Sequence, residues 1–183
     1  MYTHPYYFFK NVFDRDECES IIETTLKNSD KGAIDYHAEG KDVNVLHIHL
    51  PDFLSDIFNK ISMKIRQANL KCFGYDLYEH YEYPLLSNLN FYSAGKEYPY
   101  HIDAEPLGSK SDTKLTMICN VSTDDYEGGE FYLKSNKHDT HIPELNTMGN
   151  MIIFPSFILH KVEPVTKGER ITLSHWFCGP AFK

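Results

Sequence analysis

A chain of 183 residues with 18 basic and 26 acidic side chains carries a formal charge of −8, which disfavours attraction to a polyanion and argues against a nucleic-acid partner. That length suits one domain, residues 1–183, able to bury roughly 70% of the surface its unfolded form exposes, so no disulfide staple is required. No window approaches the roughly 18 apolar residues of a membrane span, and Met1-Tyr2-Thr3-His4-Pro5 lacks the features of a secretion signal, so a cytoplasmic protein without membrane attachment is predicted.

Tyr6-Tyr7-Phe8-Phe9 reads as a short aromatic strand. Asp14 with Glu17 three residues on is a capping-box signature, and Cys18, Ile21, Ile22 and Leu26 recur at helical spacing, predicting a helix over residues 15–28 with these on its buried face. Residues 29–42 are polar and glycine-containing, as in a loop, after which Val43, Val45, His47 and His49 alternate as a strand. Leu54, Ile57, Phe58, Ile61 and Ile65 mark a second amphipathic helix reaching about residue 69. Beyond residue 70 the pattern changes to short strands separated by Gly, Pro, Asn and Asp turns, predicted near 72–78, 86–93, 98–103, 114–121, 130–134, 149–154, 158–163 and 170–178. Residues 1–70 therefore read as helical support, and 71–183 as a β-sandwich or barrel in a mainly β protein. Loop 104–113 carries no apolar period and is a candidate lid or an ordinary surface loop. Cys18, Cys72, Cys119 and Cys178 are widely spaced without a CxxC pair and read as reduced, mostly buried thiols.

His101-Ile102-Asp103 carries the strongest chemical signal. On a strand, alternate side chains share a face, so His101 and Asp103 point the same way. One further imidazole would complete the two-His-one-carboxylate set that holds non-haem Fe(II) and leaves positions open for reaction. The triplet alone is a loose pattern that recurs by chance. His47-Ile48-His49 is a rival pair, weakened by the lack of a third ligand in a comparable strand nearby.

The C-terminal block adds weight. His160 lies in an otherwise apolar strand, and Lys167-Gly168-Glu169 forms a turn before Arg170, Thr172, Ser174 and Trp176, which alternation sends to one face. An inward Arg is costly to bury unless it meets an anion. Its planar fork suits a carboxylate, to which Thr172 can add a hydroxyl donor.

His101-Ile102-Asp103, His160 fifty-seven residues after Asp103, Arg170 ten residues after His160, and the phrases Glu127-Gly128-Gly129-Glu130-Phe131 and Phe154-Pro155-Ser156 resemble the Fe(II)/2-oxoglutarate dioxygenases of the prolyl 4-hydroxylase group. The resemblance implies a double-stranded β-helix (jelly-roll, cupin-like) barrel with supporting helices. It implies Fe(II) on His101, Asp103 and His160, all three partly accessible from the site mouth. The distal carboxylate of 2-oxoglutarate would lie on Arg170 and Thr172. Tyr92 falls where the family has a tyrosine that helps hold the co-substrate, a core aromatic being its alternative. Trp176 is similar to the tryptophan beside the iron in hypoxia-type and bacterial prolyl hydroxylases. Arg170, where collagen-type enzymes generally have Lys, leans the chain toward those two groups, whereas Asn120 stands where several hypoxia-type enzymes carry a tyrosine.

The implied activity is hydroxylation of an unactivated C–H bond with consumption of O₂ and 2-oxoglutarate and release of succinate and CO₂, ascorbate being a candidate reductant. A prolyl residue in a protein or peptide is the leading substrate, with Tyr98, Tyr100 and Asn90 as candidate substrate residues. Free proline or another small molecule comes next, and a nucleobase third because of the acidic charge. From a different class, the chain could be a non-catalytic jelly-roll binding module.

Overall fold

Asp14 and Glu17 cap each other at the start of α1 (Arg15–Asn28): the Glu17 amide donates to Asp14 Oδ1 at 2.9 Å and the Asp14 amide to Glu17 Oε2 at 3.1 Å. Two helix-end donors are thereby satisfied reciprocally. Asp14→Ala is expected to destabilise the protein by about 1 kcal/mol, read as a lower urea midpoint with an unchanged slope. The helix buries Cys18, Ile21 and Thr25, while Leu26, expected on that face, is 56% exposed. Thr25 can take the inward position because its hydroxyl donates to the Ile21 carbonyl at 2.7 Å.

The structure, a computed structural model, describes residues 5–28, 34–35, 43–79, 86–104, 111–135 and 138–181. The second predicted helix is divided into α2 (Leu50–Phe53) and α3 (Ser55–Ala68), with Leu54 at the joint and Ile57, Phe58, Ile61, Ile65 and Ala68 buried. A π-helical turn, Asn69–Phe73, continues it. This turn displaces the strand predicted at 72–78. The Asn69 carboxamide bonds both the amide and the carbonyl of Tyr75, at 2.9 and 2.7 Å, so the chain is diverted from ladder pairing.

The strands are β1 (Tyr7–Phe9), β2 (Ile34–Asp35), β3 (Asn44–Ile48), β4 (Ser87–Ser93), β5 (Tyr98–His101), β6 (Ser111–Asn120), β7 (Glu127–Gly128), β8 (Phe131–Ser135), β9 (His138–His141), β10 (Met151–Pro155), β11 (His160–Val162), β12 (Val165–Lys167) and β13 (Glu169–Pro180). The short β2 interrupts the predicted loop 29–42, whose remainder lies outside the described residues apart from Ile34–Asp35. β7, β9 and β12 are too short to show alternation and were not legible. Of the candidate lid 104–113, residues 111–113 belong to β6 and 105–110 lie outside the described residues.

All pairings are antiparallel, in a seven-stranded sheet of order β1-β10-β6-β13-β4-β3-β2, a four-stranded sheet β5-β11-β8-β9 and a two-stranded ribbon β12-β7. Period-two alternation divides the large sheet's side chains between two cores. Leu89, Leu115, Met117, Cys119, Met151, Ile153 and Leu173 pack with the helices. Tyr92, Ile118, Ile152 and Phe154 face Phe131, Leu133 and Val162 of the four-stranded sheet. The architecture is thus helices, large sheet, small sheet, with the functional side chains entering between the two sheets.

Among the described residues no helix is long and apolar enough to cross a membrane. All four cysteines are free, with Cys72 partly exposed. Burial pushes the Cys18 thiol up to about 12 and that of Cys178 to about 11, so neither is a ready nucleophile.

Candidate metal centre

β5 and β11 lie side by side with His101 opposite His160 and Tyr98 opposite Val162. Between those pairs β11 supplies one residue, Lys161, and β5 supplies two, Pro99 and Tyr100, which is a β-bulge. The extra residue lets Tyr98 and His101, three apart, both enter the cleft, with ring centres 3.9 Å apart. It turns Tyr100 away. Tyr100, expected as a wall of the substrate site, instead lies beside Lys134 and Lys161, whose ammonium groups are 4.8 and 5.0 Å from its ring centre.

Each imidazole is oriented by its own strand. His101 Nδ1 donates to the Pro99 carbonyl at 2.8 Å and His160 Nδ1 to the Ile158 carbonyl at 3.0 Å. A carbonyl only accepts, so both Nδ1 atoms carry a proton, which leaves the two Nε2 atoms, the ones facing Asp103, for a metal ion. His101 Nε2 lies 3.5 Å from Asp103 Oδ1, and His160 Nε2 lies 3.5 Å from Asp103 Oδ2. The three ligand atoms fall within 4.8 Å of one another. Two neutral imidazoles and one carboxylate on one side of an ion fit a divalent first-row metal such as Fe(II) with open positions. His160 is 2% exposed and packs edge-on to Phe154 with ring centres 4.9 Å apart, so this ligand is buried rather than open to the mouth; His101 and Asp103 retain 19% and 13% exposure.

His47 and His49 form no such set. His47 Nδ1 sits 2.8 Å from Asn88 Oδ1 and His49 Nδ1 sits 2.8 Å from Asp52 Oδ2. Among the described residues only His101, Asp103 and His160 group as ligands.

The inner faces of β13 and β4 continue the cleft, with Arg170 opposite Tyr92, Thr172 opposite Asn90 and Ser174 opposite Asn88. Asn90 donates to Ser174 Oγ at 3.1 Å. Arg170 is fully buried, and its Nε and both terminal nitrogens have no hydrogen-bond partner among the described residues. An unpaired buried guanidinium costs several kcal/mol, a cost that an anion beside it would offset. The Tyr92 ring centre is 5.4 Å from the guanidinium carbon, and burial raises the phenol well above its usual range, keeping its proton available for donation. Trp176, Tyr98, Ile118 and Phe131 complete the cleft.

Gly129 permits Arg170 to lie where it does. At φ +69°, a Cβ there would come within 2.8 Å of Arg170 Cδ and 3.0 Å of Val165 Cγ2. Asn120 faces Thr172 in the ladder, but its carboxamide is engaged elsewhere, donating to the Tyr126 hydroxyl and accepting the Ser122 amide, both at 2.9 Å.

Two residues without a sequence-level role complete the site. Thr116 Oγ1 is 2.9 Å from Asp103 Oδ2 and 3.0 Å from Ser156 Oγ, and the Asp103 amide donates to the Ser156 carbonyl at 2.9 Å. Ser156 lies in the phrase Phe154-Pro155-Ser156, the one hint available; Thr116 sits inside a run of strand residues with nothing to single it out.

A family model described as the 2OG-Fe(II) oxygenase superfamily matches residues 87–178. The chain is 33% identical over 125 residues to a PKHD-type hydroxylase of Herminiimonas arsenicoxydans, covering 64% of this chain and 52% of that protein. It is 37% identical over 94 residues to one from Alteromonas mediterranea, covering 48% and 40%. The chain spans about half the length, or less, of these curated relatives. Its fold resembles the viral collagen prolyl hydroxylase of Paramecium bursaria Chlorella virus-1 in complex with 2OG (TM-score 0.72, 19% identity, 97% of each chain). It equally resembles a Pseudomonas putida prolyl-4-hydroxylase (TM-score 0.72, 14% identity, 98% and 95%). A prolyl hydroxylase from Trichoplax adhaerens, solved with a peptide fragment of a hypoxia inducible factor, follows at TM-score 0.69 with 13% identity over 96% and 84%. The fold is the double-stranded β-helix of these enzymes. Equal scores to the first two mean that overall shape does not separate collagen-type from bacterial enzymes.

Proposed function

The chain belongs to the 2OG-Fe(II) oxygenase superfamily, and from that membership we propose that it hydroxylates an unactivated C–H bond of a prolyl residue in a protein or peptide. The observation that carries this reading is the buried guanidinium of Arg170, without a hydrogen-bond partner among the described residues, set beside Tyr92, which lines the same cleft as the His101-Asp103-His160 cluster. A binding module that had lost its chemistry would have no reason to bear the cost of that charge.

In this reading His101, Asp103 and His160 hold Fe(II) through two Nε2 atoms and one carboxylate. Arg170, Thr172 and the protonated Tyr92 hold the distal carboxylate of 2-oxoglutarate at the deep end, and Trp176 lines the cleft beside them. When bound, the ferrous ion and 2-oxoglutarate supply the oxidising chemistry, by which one oxygen atom of O₂ enters the substrate and the other leaves in succinate as CO₂ is released. The protein orients these partners and keeps bulk water from the reacting atoms. Ascorbate would serve as an external reductant. The four free cysteines support a reducing, cytoplasmic setting.

A peptide is favoured over a free amino acid by likeness to an enzyme that binds one. The Trichoplax adhaerens prolyl hydroxylase that shares this fold was solved with a peptide fragment, and Tyr98 and Asn90 line the cleft here as candidate substrate residues. The test is mass spectrometry of a panel of proline-containing peptides incubated with the protein, Fe(II), ascorbate and 2-oxoglutarate. One added oxygen atom on proline, dependent on 2-oxoglutarate, is expected. Oxidation of free proline with no peptide product would replace the peptide reading.

A further inference from the structure

Asp103 is the ligand that the sheets hold least. It lies two residues beyond the end of β5, so no ladder fixes it, whereas His160 is part of β11 and His101 is the last residue of β5. Its fixed points come instead from the other sheet. Thr116 belongs to β6, Ser156 follows β10 directly, and both are fully buried. Thr116 has one hydroxyl proton and two acceptors in reach, Asp103 Oδ2 at 2.9 Å and Ser156 Oγ at 3.0 Å. An ionised carboxylate is the stronger acceptor, so Thr116 donates to Asp103 and Ser156 donates in turn to Thr116. The Ser156 carbonyl holds the Asp103 amide at 2.9 Å, and the Ser156 amide is held by the Lys114 carbonyl of β6 at 3.0 Å.

We propose that Thr116 and Ser156 are positioning residues for the metal, a two-hydroxyl relay that locks the Asp103 carboxylate across the sheet-to-sheet gap. The relay engages Oδ2 and leaves Oδ1, 3.5 Å from His101 Nε2, as the oxygen available to a metal ion. This rests on the reading of His101, Asp103 and His160 as metal ligands. Without the relay the carboxylate can rotate and the ligand set is no longer preformed, so metal affinity falls even though every ligand remains. Removing outer partners of this kind characteristically lowers metal affinity by about 10–100-fold.

The test is titration of the metal-free protein with Co(II), followed by calorimetry and by the visible d–d absorption. Thr116→Val keeps shape but removes the proton and is expected to bind Co(II) about 10–100-fold more weakly with an altered d–d band. Thr116→Ser restores the hydroxyl and is expected to recover wild-type affinity to within about 3-fold, which a packing role for the Thr methyl would not allow. Ser156→Ala removes only the outer hydroxyl and is expected to lie between them, providing an independent variant should Thr116→Val fail to fold. Wild-type affinity and an unchanged spectrum in Thr116→Val, or in Ser156→Ala if the first does not fold, would overturn the relay. Failure of the wild-type protein to bind Co(II) would instead overturn the ligand assignment itself.

Discussion

Replacing Arg170 with alanine is expected to weaken 2-oxoglutarate binding by roughly 10- to 150-fold, the equivalent of one charge-assisted interaction of about 1.5–3 kcal/mol. The guanidinium is fully buried, none of its three nitrogens has a hydrogen-bond partner among the described residues, and Tyr92 and Thr172 stand beside it with hydroxyl protons to add. The same geometry predicts an opposite effect on the metal- and co-substrate-free protein. Arg170→Met fills similar volume without a buried charge, and such replacements are neutral or stabilising by about 1–4 kcal/mol. Thermal unfolding with and without 2-oxoglutarate separates the two effects. Wild type should gain about 2.7 kcal/mol at a ligand concentration one hundred times its Kd, and a variant weakened 10- to 150-fold about 0.3–1.4 kcal/mol at that same concentration. Unchanged 2-oxoglutarate affinity in Arg170→Ala would refute the assignment of this cavity to the co-substrate.

His101→Ala and Asp103→Ala are each expected to reduce substrate-coupled succinate formation to background, because ligands acting as one unit are not additive and loss of one is nearly as severe as loss of all. Both side chains are partly exposed, so the fold should survive, as circular dichroism can check. His160→Ala is expected to abolish coupling as well, but with an added stability loss on the order of 1–3 kcal/mol. Its ring is enclosed by Phe154 and Phe131, with centres 4.9 and 5.9 Å away. Substrate-coupled turnover that persists in Asp103→Ala would show that the carboxylate is not a ligand.

Several features of the chain are determined within a few residues of themselves and could be read in order. The reciprocal Asp14–Glu17 cap, the inward Cys18 and Ile21 of α1, the apolar face of α3 and the common face of Arg170, Thr172, Ser174 and Trp176 follow from helical or strand periods set by backbone sterics. The His101-Ile102-Asp103 triplet offers two ligands on one face, and the family resemblance it carries together with His160 and Arg170 implies the third. What only the tertiary structure decided depends on which strand lies beside which. The bulge opposite Lys161 brings Tyr98 into the cleft and turns Tyr100 out of it, against simple alternation. Asn69 converts an expected strand into a π-helical turn through bonds to Tyr75. Thr116 and Ser156 gain their role from a carboxylate delivered by the opposite sheet. Local periods record where a side chain points, but a hydrogen bond across sheets exists only after the topology has chosen its partner, and that choice is made by the packing of the whole barrel.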